Sequence, residues 1–285
     1  MGEFKHWIDE ALQGYPHLNK RNFAEESNDF WKKELKKCSL DTTRVYMIEK
    51  YVFTNRLWKG QRQLLECMKH RHVTLSVKSR AVGYTSLMAA LTACEMVLNC
   101  DMGPGDRFNE KYDIVYICQT ENEKQMFIRQ VIEFINRIPK PLWTTDCNFS
   151  STNSELNLGY SRLTVTRPGT IGFSNSNNKE PKVVIYDEIV SCNDEFDFYD
   201  NTEQNWFDIS DKVIIGGCAN HRNVNFYNFA KEYKEKYDCF VTMEWFDNPC
   251  NTSHDYTYKR NHSYDKYAFA DEYDCEVFKL VKEKL

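Results

Sequence analysis

The chain lacks several features that would settle its class at once. No apolar run reaches the roughly 20 residues needed to cross a membrane, so no membrane role is expected. The first residues, Met1-Gly2-Glu3-Phe4-Lys5-His6, carry no apolar core of a secretory signal, so a secreted protein is not expected. An excess of basic charge is missing too. With 37 Lys and Arg against 42 Asp and Glu, the net charge is -5, and any nucleic-acid contact must come from a local patch. Lys32-Lys33 with Lys36-Lys37, and Lys69 to Arg71, are the basic clusters available for one. The 11 cysteines are odd in number and show no repeated C-x-x-C spacing. That speaks against a disulfide scaffold or zinc ribbon and suits reduced thiols, mostly core filler, in a cytosol-like compartment. The histidines, His6, His17, His70, His72, His221, His254 and His262, have no metal-ligand spacing. No internal repeat and no long low-complexity segment is present.

What is there is an ordinary globular composition: 285 residues, 41% apolar, enough for a sizeable core in one decorated α/β domain. Residues 1–50 read as a charged helical arm or lid, with Phe30-Trp31-Lys32-Lys33-Glu34-Leu35 as one amphipathic piece, and residues 51–285 as the domain proper. Strands are expected at 73–77, 114–118, 162–166, 183–186, 213–215 and 240–243. Helices are expected at 57–68, 87–98, 121–138 and 223–237. Alternating strands and helices predict a mostly parallel sheet flanked by helices. Residues 101–109, 147–157 and 173–178, polar or rich in Gly and Pro, read as loops.

The most informative stretch is Val77-Lys78-Ser79-Arg80-Ala81-Val82-Gly83-Tyr84-Thr85-Ser86, between the first strand and an alanine-rich helix. A strand-to-helix turn aims backbone N–H groups and the positive helix end at one point, which favours phosphate. The standard phosphate loop ends Gly-Lys-Ser/Thr; here it ends Gly83-Tyr84-Thr85, and the lysine stands five residues earlier, at Lys78. Gly83 permits close backbone approach. Thr85 can give its hydroxyl to Mg²⁺. Lys78 can reach the outer phosphates from the far side of the loop on its long stem. Ser79, Arg80, Tyr84 and Ser86 complete the candidate nucleotide-binding set, and nucleotide hydrolysis is the leading reading.

A second element supports it. Lys182-Val183-Val184-Ile185-Tyr186-Asp187-Glu188 is a continuous apolar run, as a buried parallel strand requires, ending in two carboxylates. Ligand groups of open α/β sheets gather at such carboxyl ends. Asp187 is the candidate Mg²⁺ ligand and Glu188 the residue that polarises an attacking water. A third strand runs Val213-Ile214-Ile215-Gly216-Gly217-Cys218-Ala219-Asn220, and its small residues allow close approach, with Asn220 able to sense a terminal phosphate. Upstream, in Gly60-Gln61-Arg62-Gln63, Gln61 can offer a donor and an acceptor together to an adenine edge.

In this order the four elements resemble the ATPase domain of the large terminase subunit of tailed bacteriophages. Lys78 to Thr85 is similar to the deviant loop of lambda-like terminases, Ile185-Tyr186-Asp187-Glu188 to the Walker B strand, and Gly60 to Leu65 to the adenine-contacting motif. Gly217-Cys218-Ala219-Asn220 takes the place of the coupling motif, where the family often shows Thr-Thr-Pro-Asn. The resemblance spans roughly residues 50–278 and implies a RecA-like (ASCE) P-loop NTPase fold. It further implies ATP and Mg²⁺ as cofactors and Glu188 as catalytic base. Its implied partners are double-stranded DNA, a portal protein, a small terminase subunit and sister subunits in a ring, by family resemblance a pentamer. It places the protein in the host cytoplasm, docked on a procapsid. The family's RNase H-type nuclease domain is not expected within these residues. The arginine that completes the site is Arg80 in cis or Arg129 supplied to a neighbour. A helicase-type DNA-dependent ATPase and a nucleotide-binding assembly module without hydrolysis are the competing readings.

Overall fold

A computed structural model describes residues 40–100, 112–138, 149–152, 154–167, 181–188, 210–218, 240–263 and 269–275. The expected helix at 223–237, the loops at 101–109 and 173–178, Asn220, and all but the end of the N-terminal arm lie outside these residues.

Eight strands form one sheet in the order β3-β4-β5-β2-β6-β7-β1-β8. They are β1 (Val73–Lys78), β2 (Tyr112–Ile117), β3 (Phe149–Ser151), β4 (Glu155–Leu158), β5 (Ser161–Thr166), β6 (Val183–Asp187), β7 (Lys212–Gly217) and β8 (Phe240–Met243). The six strands from β5 to β8 across the sheet are parallel, and β3 and β4 add an antiparallel hairpin at the β5 edge. All six expected strands are present, within a residue or two of their expected ends. The stretch 147–157 corrects its sequence reading: its Ser, Thr and Asn content suggested a loop, yet it holds β3 and most of β4. The reason is period-two packing. Leu156 and Leu158 are both fully buried while their neighbours are half-exposed, and two inward leucines suffice to seat β4 between β3 and β5.

The central strands are buried on both faces, as the apolar runs of β6 and β7 require, and β1 buries Thr74 and Ser76 among its apolar residues. Helix α1 (Leu40–Met47) continues through a π turn (Ile48–Val52), and Met47, Ile48 and Val52 lie in the same core as the sheet. Helix α2 (Lys59–His70) buries Gly60, Gln61, Leu64, Leu65 and Met68, one face at helical spacing, over β1 and β8. Helix α3 (Tyr84–Asn99) is apolar nearly all round and is the buried centre of the helical layer. Helix α4 (Glu121–Arg137) turns Phe127, Ile128, Val131, Phe134 and Ile135 inward against α3. Its start is set by a reciprocal cap between Thr120 and Glu123. Helix α5 (Ser253–His262) buries none of its residues. No helix among the described residues is long and apolar enough to cross a membrane.

The topology matters for function. β7 lies between β1 and β6, so the loop after β1 and the carboxylates after β6 flank one strand. All three strands are parallel and end at the same edge.

Candidate nucleotide site at the carboxyl edge

The loop between β1 and α3 is built from non-standard backbone. Ala81 and Gly83 both have left-handed φ, 58° and 71°. For Ala81 this is a strained conformation, of the kind that gathers at ligand sites. A side chain on Gly83 would collide with Gln61 Nε2 at 2.8 Å and the Trp58 ring at 3.0 Å, so glycine is required twice over. The loop is gripped from the C-terminal segment: Asn248 Nδ2 donates to the Ala81 carbonyl at 2.7 Å, and the Ser79 N–H to the Met243 carbonyl at 2.8 Å. The Ser79 hydroxyl donates to the Tyr273 carbonyl at 2.5 Å, so this candidate phosphate contact is turned into the protein.

Gln61 is almost fully buried. Its Oε1 accepts the Trp58 N–H at 3.1 Å, and its Nε2 donates to the Gly83 carbonyl at 3.3 Å. In this state the glutamine braces the loop and caps α2, and adenine contact would use its remaining donor and lone pair.

Lys78, at the last position of β1, is buried and its ammonium forms an ion pair with Glu188. It also lies 3.8 Å from Asp187 Oδ1. Burial works against its charge, but the two carboxylates overcome it and hold the ammonium above its ordinary pKa. Glu188 also has left-handed φ, 55°. Its carboxylate accepts the Cys218 N–H at 3.2 Å, and its carbonyl accepts from Gln119 Nε2 at 3.2 Å. Burial pushes the Glu188 carboxyl up, and the Lys78 charge and hydrogen bond more than reverse it, so the group stays ionised.

Asp187 is set differently. Thr85 Oγ1 and the Tyr116 hydroxyl both donate to its Oδ2, at 2.5 and 2.7 Å. Its Oδ1 is buried without any hydrogen-bond partner. Burial is the main cause that raises its carboxyl above the ordinary range, with Lys78 opposing. An orphaned carboxylate oxygen beside a threonine hydroxyl is a fit for Mg²⁺, which takes one or two protein oxygens and completes its shell with phosphate and water. Among the described residues no cluster of three His, Cys, Asp or Glu offers an all-protein metal cage, which agrees with that sparse donor set.

Beside these groups opens a cleft of about 500 Å³ whose walls include Thr85, Tyr116, Cys118, Arg129, Asp187 and Glu188. Arg129 is exposed on α4, in the cleft of its own chain. Arg80 is exposed on the loop. Ser86, one residue into α3 beyond Thr85, accepts a hydrogen bond from Gln130 Nε2 at 3.1 Å. Lys78, Thr85, Asp187 and Glu188 are thus brought together, whereas Tyr84 is not in the cleft: it is 2% exposed beneath the loop.

Several residues of the site carried no role in the sequence reading. Tyr116 stacks on Phe127, ring centroids 3.4 Å apart, and orients Asp187; a phenol inside an apolar strand was its only trace. Cys218 holds Glu188 through its backbone N–H, which no side-chain pattern announces. Burial pushes its thiol up to about 12, so it is a neutral neighbour rather than a nucleophile. Gln119 and Asn248 lie in none of the motifs the sequence offers.

No protein-family model and no curated protein matches the chain. Solved structures do. A point mutant of the ATPase domain of the Thermus phage P74-26 large terminase superposes with a TM-score of 0.59 at 12% identity, over 79% of this chain and 96% of that one. The HK97 bacteriophage large terminase gives 0.56 at 12% identity, over 86% of this chain and 52% of that one. A large terminase of a thermophilic bacteriophage in complex with ADP gives 0.50 at 10% identity, over 76% of this chain and 52% of that one. The chain therefore has the fold of large terminase ATPase domains, and it spans about half the length of the two longer proteins.

Proposed function

We propose that this chain is the ATP-hydrolysing motor domain of a phage large terminase, which drives double-stranded DNA into a procapsid. The observation that carries the reading is the convergence of Thr85, Asp187 and Glu188 on one cleft at the carboxyl edge of the sheet, with the Lys78 ammonium ion-paired to the two carboxylates. Lys78 neutralises the outer phosphates. Thr85 and Asp187 would hold Mg²⁺, which would offset charge on the transferring phosphoryl group. Glu188 orients the attacking water and takes its proton. Lys78 and Glu188 are ion-paired, so a bound phosphate would compete with the carboxylate for the ammonium. Arg80 acting in cis and Arg129, which lines the cleft and is exposed on α4, are the two candidates for the arginine that completes the site. The partners of this reading are DNA, a portal protein, a small terminase subunit and sister subunits in a ring, five by family resemblance, in the host cytoplasm.

The test is Mg²⁺-dependent ATP hydrolysis by this chain and by Glu188→Gln, across protein concentrations. Turnover should fall by at least about a hundredfold in the variant while ATP binding persists. Turnover linear in concentration supports the cis arginine, and a steeper rise supports one supplied in trans. ATP binding without turnover, in the presence of DNA and portal, would overturn the motor reading in favour of a binding module.

A further inference from the structure

We propose that Tyr84 is a positioning residue of this site: a buried phenol that locks the end of the carboxylate strand to the phosphate loop, with Gly216 as its obligatory partner. The kinetic half of the proposal rests on the ATPase reading; the packing half stands without it.

Tyr84 is the first residue of α3, where a standard phosphate loop carries its lysine. Its ring does not face the cleft but runs beneath the loop and across β7. A Cβ on Gly216 would lie 2.2 Å from Tyr84 Cζ, 2.5 Å from its hydroxyl oxygen and 2.6 Å from Cε2. The ring fills the space in which any other residue of β7 would place a side chain. In the sheet register Gly216 pairs with Ser76 of β1 on one side and Asp187 of β6 on the other. The ring therefore crosses the middle strand of the three that build the site.

Each end of the ring makes a contact that bears on the chemistry. The hydroxyl donates to the carbonyl of Tyr186 at 3.3 Å, one residue before Asp187. The Lys78 ammonium lies 5.4 Å from the ring centroid, within cation–π range. One side chain thus touches the lysine of β1, the glycine of β7 and the strand end that aims Asp187. The glycine of β7 that sequence reasoning assigned to close approach by a ligand is used for close approach by this ring instead. The same geometry explains why the displaced lysine is tolerated. A lysine at position 84 would bury an ammonium against Gly216, away from the cleft, so Tyr84→Lys should lose turnover rather than recover a standard site.

The experiment has two independent readouts on the whole chain. The first is a denaturation cycle of Gly216→Ala in the wild-type and Tyr84→Leu backgrounds. Leucine lacks the atoms a Cβ at 216 would strike. Gly216→Ala should therefore lower the melting temperature sharply beside the tyrosine and much less in the Tyr84→Leu background. Equal losses in both backgrounds would overturn the packing. The second is Tyr84→Phe, which keeps the ring and deletes the donor. Its Kd for ATP should stay within about twofold of wild type while kcat falls about threefold to tenfold. A change confined to Kd, no change at all, or a Tyr84→Lys variant more active than wild type would overturn the positioning role. A wild-type chain without turnover would sink the ATPase reading, and the denaturation cycle would still decide whether Tyr84 and Gly216 are partners.

Discussion

Two buried carboxylates, at opposite edges of the same sheet, show what separates a structural site from a chemical one. Glu95 of α3 sits near the edge where β2, β6 and β7 begin. It is ion-paired with Arg44 of α1 and accepts from the Tyr112 hydroxyl at 2.9 Å and Asn99 Nδ2 at 3.3 Å. Three donors from different places in the fold converge on one carboxylate, which ties α1, α3 and β2 together beside a cavity of about 290 Å³. Asp187, at the other edge, is equally buried, yet one of its oxygens has no hydrogen-bond partner and the residue after it is held at left-handed φ. A buried polar atom left without a partner costs free energy, and strained backbone costs more. The Glu95 carboxylate is satisfied for stability; the Asp187 carboxylate is left under-satisfied, poised for a ligand.

Substitutions at the two edges should part along these lines. The largest effect is expected for Asp187→Asn. Loss of the Mg²⁺ ligand should cut turnover by about a hundredfold or more. The amide oxygen still accepts from Thr85 and Tyr116, so the melting temperature should stay within about 3 °C of wild type. A steady-state assay beside a thermal melt checks both, and a large loss of stability would break the contrast. Glu95→Ala should do the reverse. It takes the Glu95 charge from the half-buried Arg44 guanidinium and removes the hydrogen bonds from Tyr112 and Asn99, at about 3 kcal/mol and roughly 6–12 °C of melting temperature. Turnover per folded molecule should hardly change, and a fall in kcat well below the melting range would show that the edges are coupled. The smallest effect is expected for Asn248→Ala, which frees the Ala81 carbonyl of the loop. About 1 kcal/mol, or roughly 2–4 °C, should be lost, read as a small downward shift in a denaturation curve.

Much of this was legible in the chain itself. The apolar runs ending at Asp187 and at Gly217 announced buried parallel strands, because only a strand covered on both faces stays apolar along its length. The stretch 147–157 was misread because its strands rest on two leucines, a signal that its Ser and Asn content outweighed. Tyr84 entered the nucleotide set by its position in the loop motif, and that position does not record the direction of the side chain, which the fold buries. Asn248 and Gln119 could not be found in the same way. They act at separations of 167 and 69 residues from their partners, and no local pattern encodes such a meeting.

By itself the sequence determined the class of the fold, the strand ends at which chemistry could occur, and the residue types available there. Those follow from periodicity and from the chemistry of single side chains, which are local properties. Only the tertiary structure decided that β7 would lie between β1 and β6, that Lys78 would rest on Glu188, that one oxygen of Asp187 would stay unpartnered, and that Tyr84 would turn under the loop. Each of these depends on the distance between atoms far apart in the chain, and that distance is set by how the whole sheet packs.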